Sequence, residues 1–151
     1  MFFSVVVMYG SSNPELSTMQ IELLAGEIVN HTPEHLHWVE GTQFSWVLFP
    51  LSANETENRL RTTVLGYLKK KYTVYERKAD IPAGHIVDNG KGKNYSNGFF
   101  FQYRLQFLDN NRIQIQYVDY ESPLAASFQT LTYQWDSIRW KVIEQGPLFV
   151  S

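Results

Sequence analysis

The stretch FQYRLQFLDNNRIQIQY, residues 101–117, decides the fold class of this chain. Apolar and polar side chains alternate in it on both sides of Asp109-Asn110-Asn111. Successive side chains of a β-strand point to opposite faces, so the alternation predicts two strands with one face on a core and one face in water. Asp and Asn favour tight turns because their side chains bond the nearby backbone. The stretch therefore predicts an antiparallel hairpin.

The same alternation continues towards the C-terminus and predicts a β-meander. Two further strands are expected, at 127–135 and 138–142. In the second of them, Ile138, Trp140 and Val142 alternate with basic residues. A strand with this pattern turns its apolar set towards a core.

One long helix is predicted ahead of the meander, over residues 54–71. Ser52 with Glu55 matches a capping box, and Asn54 with Glu57 matches one more loosely. With either cap, the acidic first turn and the three lysines of the last turn suit the helix dipole. Apolar residues recur at helical spacing and form one face that can pack on a sheet. They are Leu60, Val64, Tyr67 and Leu68.

The N-terminal third is predicted to be extended. Residues 19–29 fit either a strand or a helix, and a strand is preferred because Gly26 disfavours a helix. Further strands are expected at 36–40 and 43–49. The N-terminal run MFFSVVVMYGSS is expected to be either a strand at 2–9 or the second half of a secretory signal that lacks a positive start. The signal would place the protein in the periplasm or outside the cell, and without it a cytoplasmic protein is expected.

These elements predict an α+β fold in a single domain, 1–151, with one long helix packed on a curved antiparallel sheet and a C-terminal β-meander.

Residues 54–151 resemble the cystatin-like and NTF2-like α+β families, because a helix is followed by a long-stranded meander that closes with LTYQWDSIRWKVIEQGP. The resemblance implies a curved sheet wrapped on a helix, in which a pocket can form. NTF2-like domains open with helices, whereas this chain is predicted to open with strands. The resemblance carries no catalytic residue across, because the fold hosts both enzymes and binding modules.

Composition excludes several classes of function. The formal net charge of −2 leaves no basic face for nucleic acid, and the absence of cysteine excludes disulfides, thiolate zinc sites and a cysteine nucleophile. No apolar run approaches the roughly 20 residues of a membrane span. No nucleotide-binding or hydrolase motif is present. We therefore expect no cofactor, and a binding domain rather than an enzyme.

Three residues are candidates for chemistry. If residues 35–39 form a strand, His35 and His37 point to the same side, about 6.5–7 Å apart, which suits two ligands of one metal ion. The alternative is that both histidines line an exposed strand face. Asp119 continues the inward-facing series of its strand, so burial could make its carboxyl a general acid or base. The alternative for Asp119 is a solvated strand end.

Aromatic residues are dense in the meander, where they form either plain core or the wall of a pocket for a small apolar ligand. Tyr103, Tyr117 and Trp135 are the candidate ligand-binding residues. Tyr and Trp left at the surface would instead indicate a protein partner, and a homodimer is one such assembly.

We expect a non-catalytic small binding or interaction domain, with an exported bacterial accessory protein as one form. The alternative is an NTF2-like small-molecule enzyme or ligand carrier with an aromatic-lined pocket.

Overall fold

The computed structural model of the chain describes residues 15–35, 44–47, 54–88, 90, 93–95, 98–109, 111–122 and 125–150. Within these ranges there are two α-helices, α1 (Thr18–His35) and α2 (Glu55–Lys71), and two short 3-10 helices, Lys78–Asp80 and Ala83–His85. The described strands are β1 (Phe44–Val47), β2 (Thr73–Tyr75), β3 (Ile86–Asp88), β4 (Lys93–Tyr95), β5 (Gly98–Phe107), β6 (Arg112–Ser122), β7 (Ala125–Trp135), β8 (Trp140–Gln145) and β9 (Phe149–Val150). The predicted strands at 2–9 and 36–40 and the predicted capping residue Ser52 lie outside the described residues.

The main sheet has the strand order β2-β1-β5-β6-β7-β8, and β9 also pairs with β7. The strands from β5 to β8 are antiparallel neighbours in sequence order, which confirms the predicted C-terminal meander and the α+β class. The short β1 runs parallel to both β2 and β5, so the sheet as a whole is mixed. Strands β3 and β4 form a separate antiparallel pair.

The prediction of one long helix is wrong, because residues 19–29 belong to α1 and not to a strand. Apolar residues of α1 are buried at helical intervals and bring a second apolar stripe to the core. They are Ile21, Leu24, Ala25, Ile28 and Val29. Burial of this stripe outweighs the helix penalty of Gly26, which is only about 1 kcal/mol relative to Ala. Ser17 and Gln20 also form a capping box, with each side chain bonded to the other's backbone N–H at 3.1 and 2.9 Å.

The second predicted helix agrees closely with α2. Asn54 is its N-cap, and the Asn54 side chain accepts a hydrogen bond from the Glu57 N–H at 3.1 Å. Leu60, Val64 and Leu68 are buried as predicted. The predicted strand at 43–49 is also confirmed in part, since β1 lies within it.

The core lies between the two helices and one face of the sheet. The inward-facing sheet residues at its centre are Ile113, Ile115, Tyr117, Leu131 and Tyr133. Of the three apolar residues expected to face the core in the last long strand, only Trp140 is buried, whereas Ile138 is 75% exposed and Val142 is 46% exposed. Ile138 lies in the β7–β8 turn beside Ser137, which has a positive φ of 82°, and the register of β8 shifts opposite Thr132 and Tyr133. The turn and the register shift break the simple alternation.

Polar contacts fix α1 over the sheet and against α2. The Trp140 indole Nε1 donates to the Gln20 carbonyl at 2.9 Å and ties the start of α1 to β8. Near the other end of α1, Lys71 Nζ donates to Asn30 Oδ1 at 3.2 Å. The second half of α1 is thereby held against the end of α2. No described helix has the length and apolar character needed to cross a membrane.

Candidate functional site

A cleft of about 260 Å³ opens between the second half of α1 and strands β7 and β8. We call it the Gln129 cleft. Its lining residues come from all three elements. They are Glu27, Asn30, His31, Gln129, Leu131, Tyr133, Val142 and Gln145. Pockets for drug-sized ligands span about 300–1,000 Å³, so this cleft suits a smaller molecule.

Gln129 is the most unusual residue of the cleft. Its side chain points inward from β7 and only 4% of the residue is exposed. The amide Nε2 donates to the Gly146 carbonyl at 3.1 Å, whereas the amide Oε1 is buried and accepts no hydrogen bond from any group the structure describes. An unsatisfied buried acceptor costs about 1–3 kcal/mol, so it requires an explanation.

The neighbouring inward position of β7 has the same character. Ser127 is 1% exposed, and within the described part of the chain its Oγ is buried without a hydrogen-bond partner. The following inward residues, Leu131 and Tyr133, are typical of a core. The inward face of β7 is therefore polar at one end, and the cleft lies where its polar and apolar parts meet.

An imidazole and two phenol rings lie beside the cleft. The ring centroid of His31 is 3.9 Å from that of Tyr117, with the two planes inclined by 33°. The hydroxyl oxygens of Tyr117 and Tyr133 are 2.8 Å apart and share a hydrogen bond, although both residues are almost fully buried. These groups can donate, accept or carry protons.

The electrostatics of the cleft are set by Glu27. It is the only carboxylate among the lining residues given above, and none of those residues is Lys or Arg. Partial burial raises the pKa of Glu27, and the positive charge of Arg139 acts against that rise. Lys71 does not line the cleft, but its ammonium donates to the lining residue Asn30 at 3.2 Å. The described lining therefore carries one negative charge, and the cations Arg139 and Lys71 act on it from outside.

The three predicted ligand-binding residues do not share this cleft. Tyr117 is not a lining residue, although its Cα is opposite Gln129 in the register and its hydroxyl contacts that of Tyr133. Tyr103 is opposite Tyr117 in the sheet register and faces α2, where burial raises the pKa of its hydroxyl. Trp135 is at the other end of β7 and packs on Trp140, with ring centroids 5.3 Å apart. It is six positions from Gln129, which corresponds to about 20 Å along a strand. The ligand-binding role of these residues stays a prediction.

The predicted catalytic and metal residues are placed only in part. The Cα of Asp119 is opposite Phe101 and Ser127 in the register, and its side chain lies outside the described residues. His35 is the last residue of α1, so the strand spacing assumed for it is wrong, and His37 lies outside the described residues. Among the side chains that the structure does describe, no group of three His, Asp or Glu could hold a metal ion.

Sequence reasoning missed Gln129, although the sequence contains a signal for it. Inward positions of the predicted strand at 127–135 start with Ser127 and Gln129, where an apolar series would be expected. A polar residue on the core side of a strand is a better indication of a functional site than another aromatic residue, because polar side chains are seldom buried.

Comparisons of the chain with known protein families, with curated proteins and with solved structures each found no match. What defines this protein is therefore its own geometry, that of a small α+β domain with a partly polar cleft between a helix and the sheet.

Proposed function

We propose that this chain is a non-catalytic binding domain that holds a small polar ligand in the Gln129 cleft. The observation that carries the proposal is the buried and unsatisfied Oε1 of Gln129 in the wall of a concavity. Stability alone would favour an apolar residue at this position, because an isosteric apolar side chain carries no unsatisfied oxygen. Oε1 is covered in the ligand-free chain, so a ligand that displaces a neighbouring side chain and donates a hydrogen bond to Oε1 would remove the penalty when it binds.

The cleft favours a polar ligand over the small apolar ligand expected from the aromatic content. Leu131 and Val142 supply a limited apolar wall, whereas the other lining side chains bring amide, carboxylate, imidazole and hydroxyl groups. Binding sites commonly combine such an apolar wall with a few polar groups that fix orientation.

A fragment screen tests the proposed function. Uniformly ¹⁵N-labelled protein is titrated with a library of small polar fragments, and backbone and side-chain amide shifts are recorded. We expect hits that shift the amides of residues 27–31 and 129–133 together. The Gln129→Met variant should lose these hits. Gln116→Met, the same replacement at an exposed position of the adjacent strand β6, should keep them. Hits that bind equally well to both variants would contradict the proposal.

A second candidate function is a small-molecule enzyme of NTF2-like type, which is favoured by His31 beside the hydrogen-bonded hydroxyls of Tyr117 and Tyr133. These groups could transfer a proton to a bound molecule. Prolonged incubation of each screening hit with the protein, followed by one-dimensional NMR, separates the two functions. Conversion of a hit that stops in His31→Gln would support the enzyme, and unchanged hits would support the binding domain.

A protein partner is favoured by a separate feature. Phe128 and Phe149 form an exposed ring pair on neighbouring strands, with centroids 6.2 Å apart and exposures of 39% and 58%. Exposed aromatic residues are common anchors of protein interfaces, including homodimers. Sedimentation of the wild type and of Phe149→Ser tests the homodimer, which the variant should weaken. A wild type that stays monomeric at all concentrations would exclude it.

A further inference from the structure

The chemistry of the cleft also limits which ligand it can accept. Resting on the proposed function, we infer that the ligand is a small organic cation with an ammonium group, which donates one N–H to Gln129 Oε1 and places its charge near Glu27. The two residues lie on different elements, β7 and α1, and both line the Gln129 cleft.

The hydrogen-bond inventory of Gln129 selects a donor. The amide Nε2 of Gln129 is already bonded to the Gly146 carbonyl at 3.1 Å, so the group left for a ligand is the Oε1 acceptor. Oε1 is covered in the ligand-free chain, and the ammonium group reaches it by displacing a neighbouring side chain of the cleft. A carboxylate or phosphate has no donor for this oxygen when it is ionised. An ammonium group has up to three donors, and a hydrogen bond that involves a charged group is stronger than a neutral one.

The charge of Glu27 selects a cation over a neutral donor. Among the lining residues that the structure describes, Glu27 is the carboxylate and none is Lys or Arg, although Lys71 bonds the lining residue Asn30 from outside the cleft. Partial burial of this carboxyl raises its pKa, so a cation beside it would restore favourable interactions lost with water. Arg139 competes for the same carboxylate from outside the lining, although it also lies 3.9 Å from Asp136 Oδ2.

Size and shape limit the rest of the ligand. The cleft volume of about 260 Å³ leaves space for a short chain. Leu131 and Val142 supply apolar contact for such a chain on the sheet side. A short alkylammonium compound therefore satisfies the acceptor, the charge and the apolar wall together.

Three matched probes test the inference at pH 7: n-butylammonium, neutral n-butanol and anionic butyrate. They share the same alkyl chain and differ in the polar group. Amide shifts of ¹⁵N-labelled protein report both affinity and location. We expect n-butylammonium to shift residues 27–31, 129–133 and 142–145, and to bind at least about tenfold more tightly than either other probe, because it alone makes a charged donor contact.

Two variants assign the contacts. Glu27→Gln should weaken n-butylammonium about threefold, as expected for a partly exposed charge pair, and leave n-butanol unchanged. Glu22→Gln removes an exposed carboxylate of α1 that is not among the lining residues of the cleft, and it should change neither probe. Gln129→Met should weaken n-butylammonium by at least about tenfold.

Butanol or butyrate binding in the cleft as tightly as n-butylammonium would overturn the ammonium inference and leave the proposed function intact. Absence of any cleft shift with n-butylammonium would also overturn the inference. The proposed function fails separately, when the wider polar screen finds no ligand at this position. If Gln129→Met does not fold, the comparison of the three probes on the wild type decides the inference alone.

Discussion

The replacement Gln129→Met is expected to leave the stability of the ligand-free protein unchanged or to raise it, unlike most core substitutions. Methionine keeps the length of the side chain and removes the buried Oε1. The folded state then no longer carries the desolvation penalty of an unsatisfied acceptor, which is about 1–3 kcal/mol. The change also removes the bond from Nε2 to the Gly146 carbonyl, which is 3.1 Å long. That loss costs about 0.5–1.5 kcal/mol. The balance is a gain of about 1 kcal/mol.

Urea unfolding, followed by tryptophan fluorescence and far-UV circular dichroism, measures this difference. In a separate thermal unfolding experiment, a gain of about 1 kcal/mol would raise the melting temperature by about 3 °C for a chain of this length. Gln116→Met is the control, because it makes the same replacement at an exposed position and should stay within about 0.5 kcal/mol of the wild type. A loss of more than about 1 kcal/mol in Gln129→Met, with the control unchanged, would refute the reasoning, because it would mean that Oε1 is already satisfied in the native protein.

Three further predictions concern the frame of the cleft and the stability of the fold. In a double-mutant cycle of Tyr117→Phe and Tyr133→Phe, the 2.8 Å hydroxyl contact should give a coupling of about 0.5–1.5 kcal/mol in urea unfolding, and additive losses would contradict it. Asn54→Ala should cost about 1 kcal/mol because it removes the N-cap of α2, whereas Asn54→Asp should stay close to the wild type; equal losses in both would argue against capping. Hydrogen bonds from the backbone amides of Arg139 and Ile138 and from the Lys141 side chain lower the pKa of Asp136 from 3.8 to about 2. The stabilising effect of the ionised Asp136 carboxylate is therefore complete above pH 3.8 and is lost as pH falls towards 2. Melting temperatures measured across this pH window should fall less in Asp136→Asn than in the wild type, and parallel curves would exclude the effect.

The meander could be predicted because its signal is local. Strict alternation over residues 101–117 sets both strand faces without reference to the rest of the chain, and the structure pairs Tyr103 with Tyr117 within that hairpin. The helix α2 was also predictable, since its cap, its apolar face and its terminal lysines all agree. Local patterns are sufficient where several of them indicate the same element.

The helix α1 was missed because one weak local preference was given too much weight. Gly26 disfavours a helix, whereas the capping box of Ser17 with Gln20 and the spacing of the buried residues from Ile21 to Val29 favour one. The parallel pairing of β1 with β5 joins segments that are more than 50 residues apart in sequence, and short strands carry no local signal for such a partner.

The cleft could be predicted only in part. Gln129 is recognisable as a polar residue on an apolar strand face, but its counterpart Glu27 comes from a helix about 100 residues earlier. Contacts such as that between Trp140 and Gln20, which are 120 positions apart, place α1 over the sheet and create the cleft. Such long-range packing has no signature in local periodicity.

A crystal structure of the protein grown with the tightest-binding fragment from the polar screen would test ligand binding at Gln129 at atomic detail. We predict that the fragment lies between α1 and β7 with a donor atom about 2.7–3.2 Å from Gln129 Oε1. A fragment bound elsewhere, or an Oε1 that accepts a hydrogen bond from another group of the chain itself, would contradict the proposed binding site.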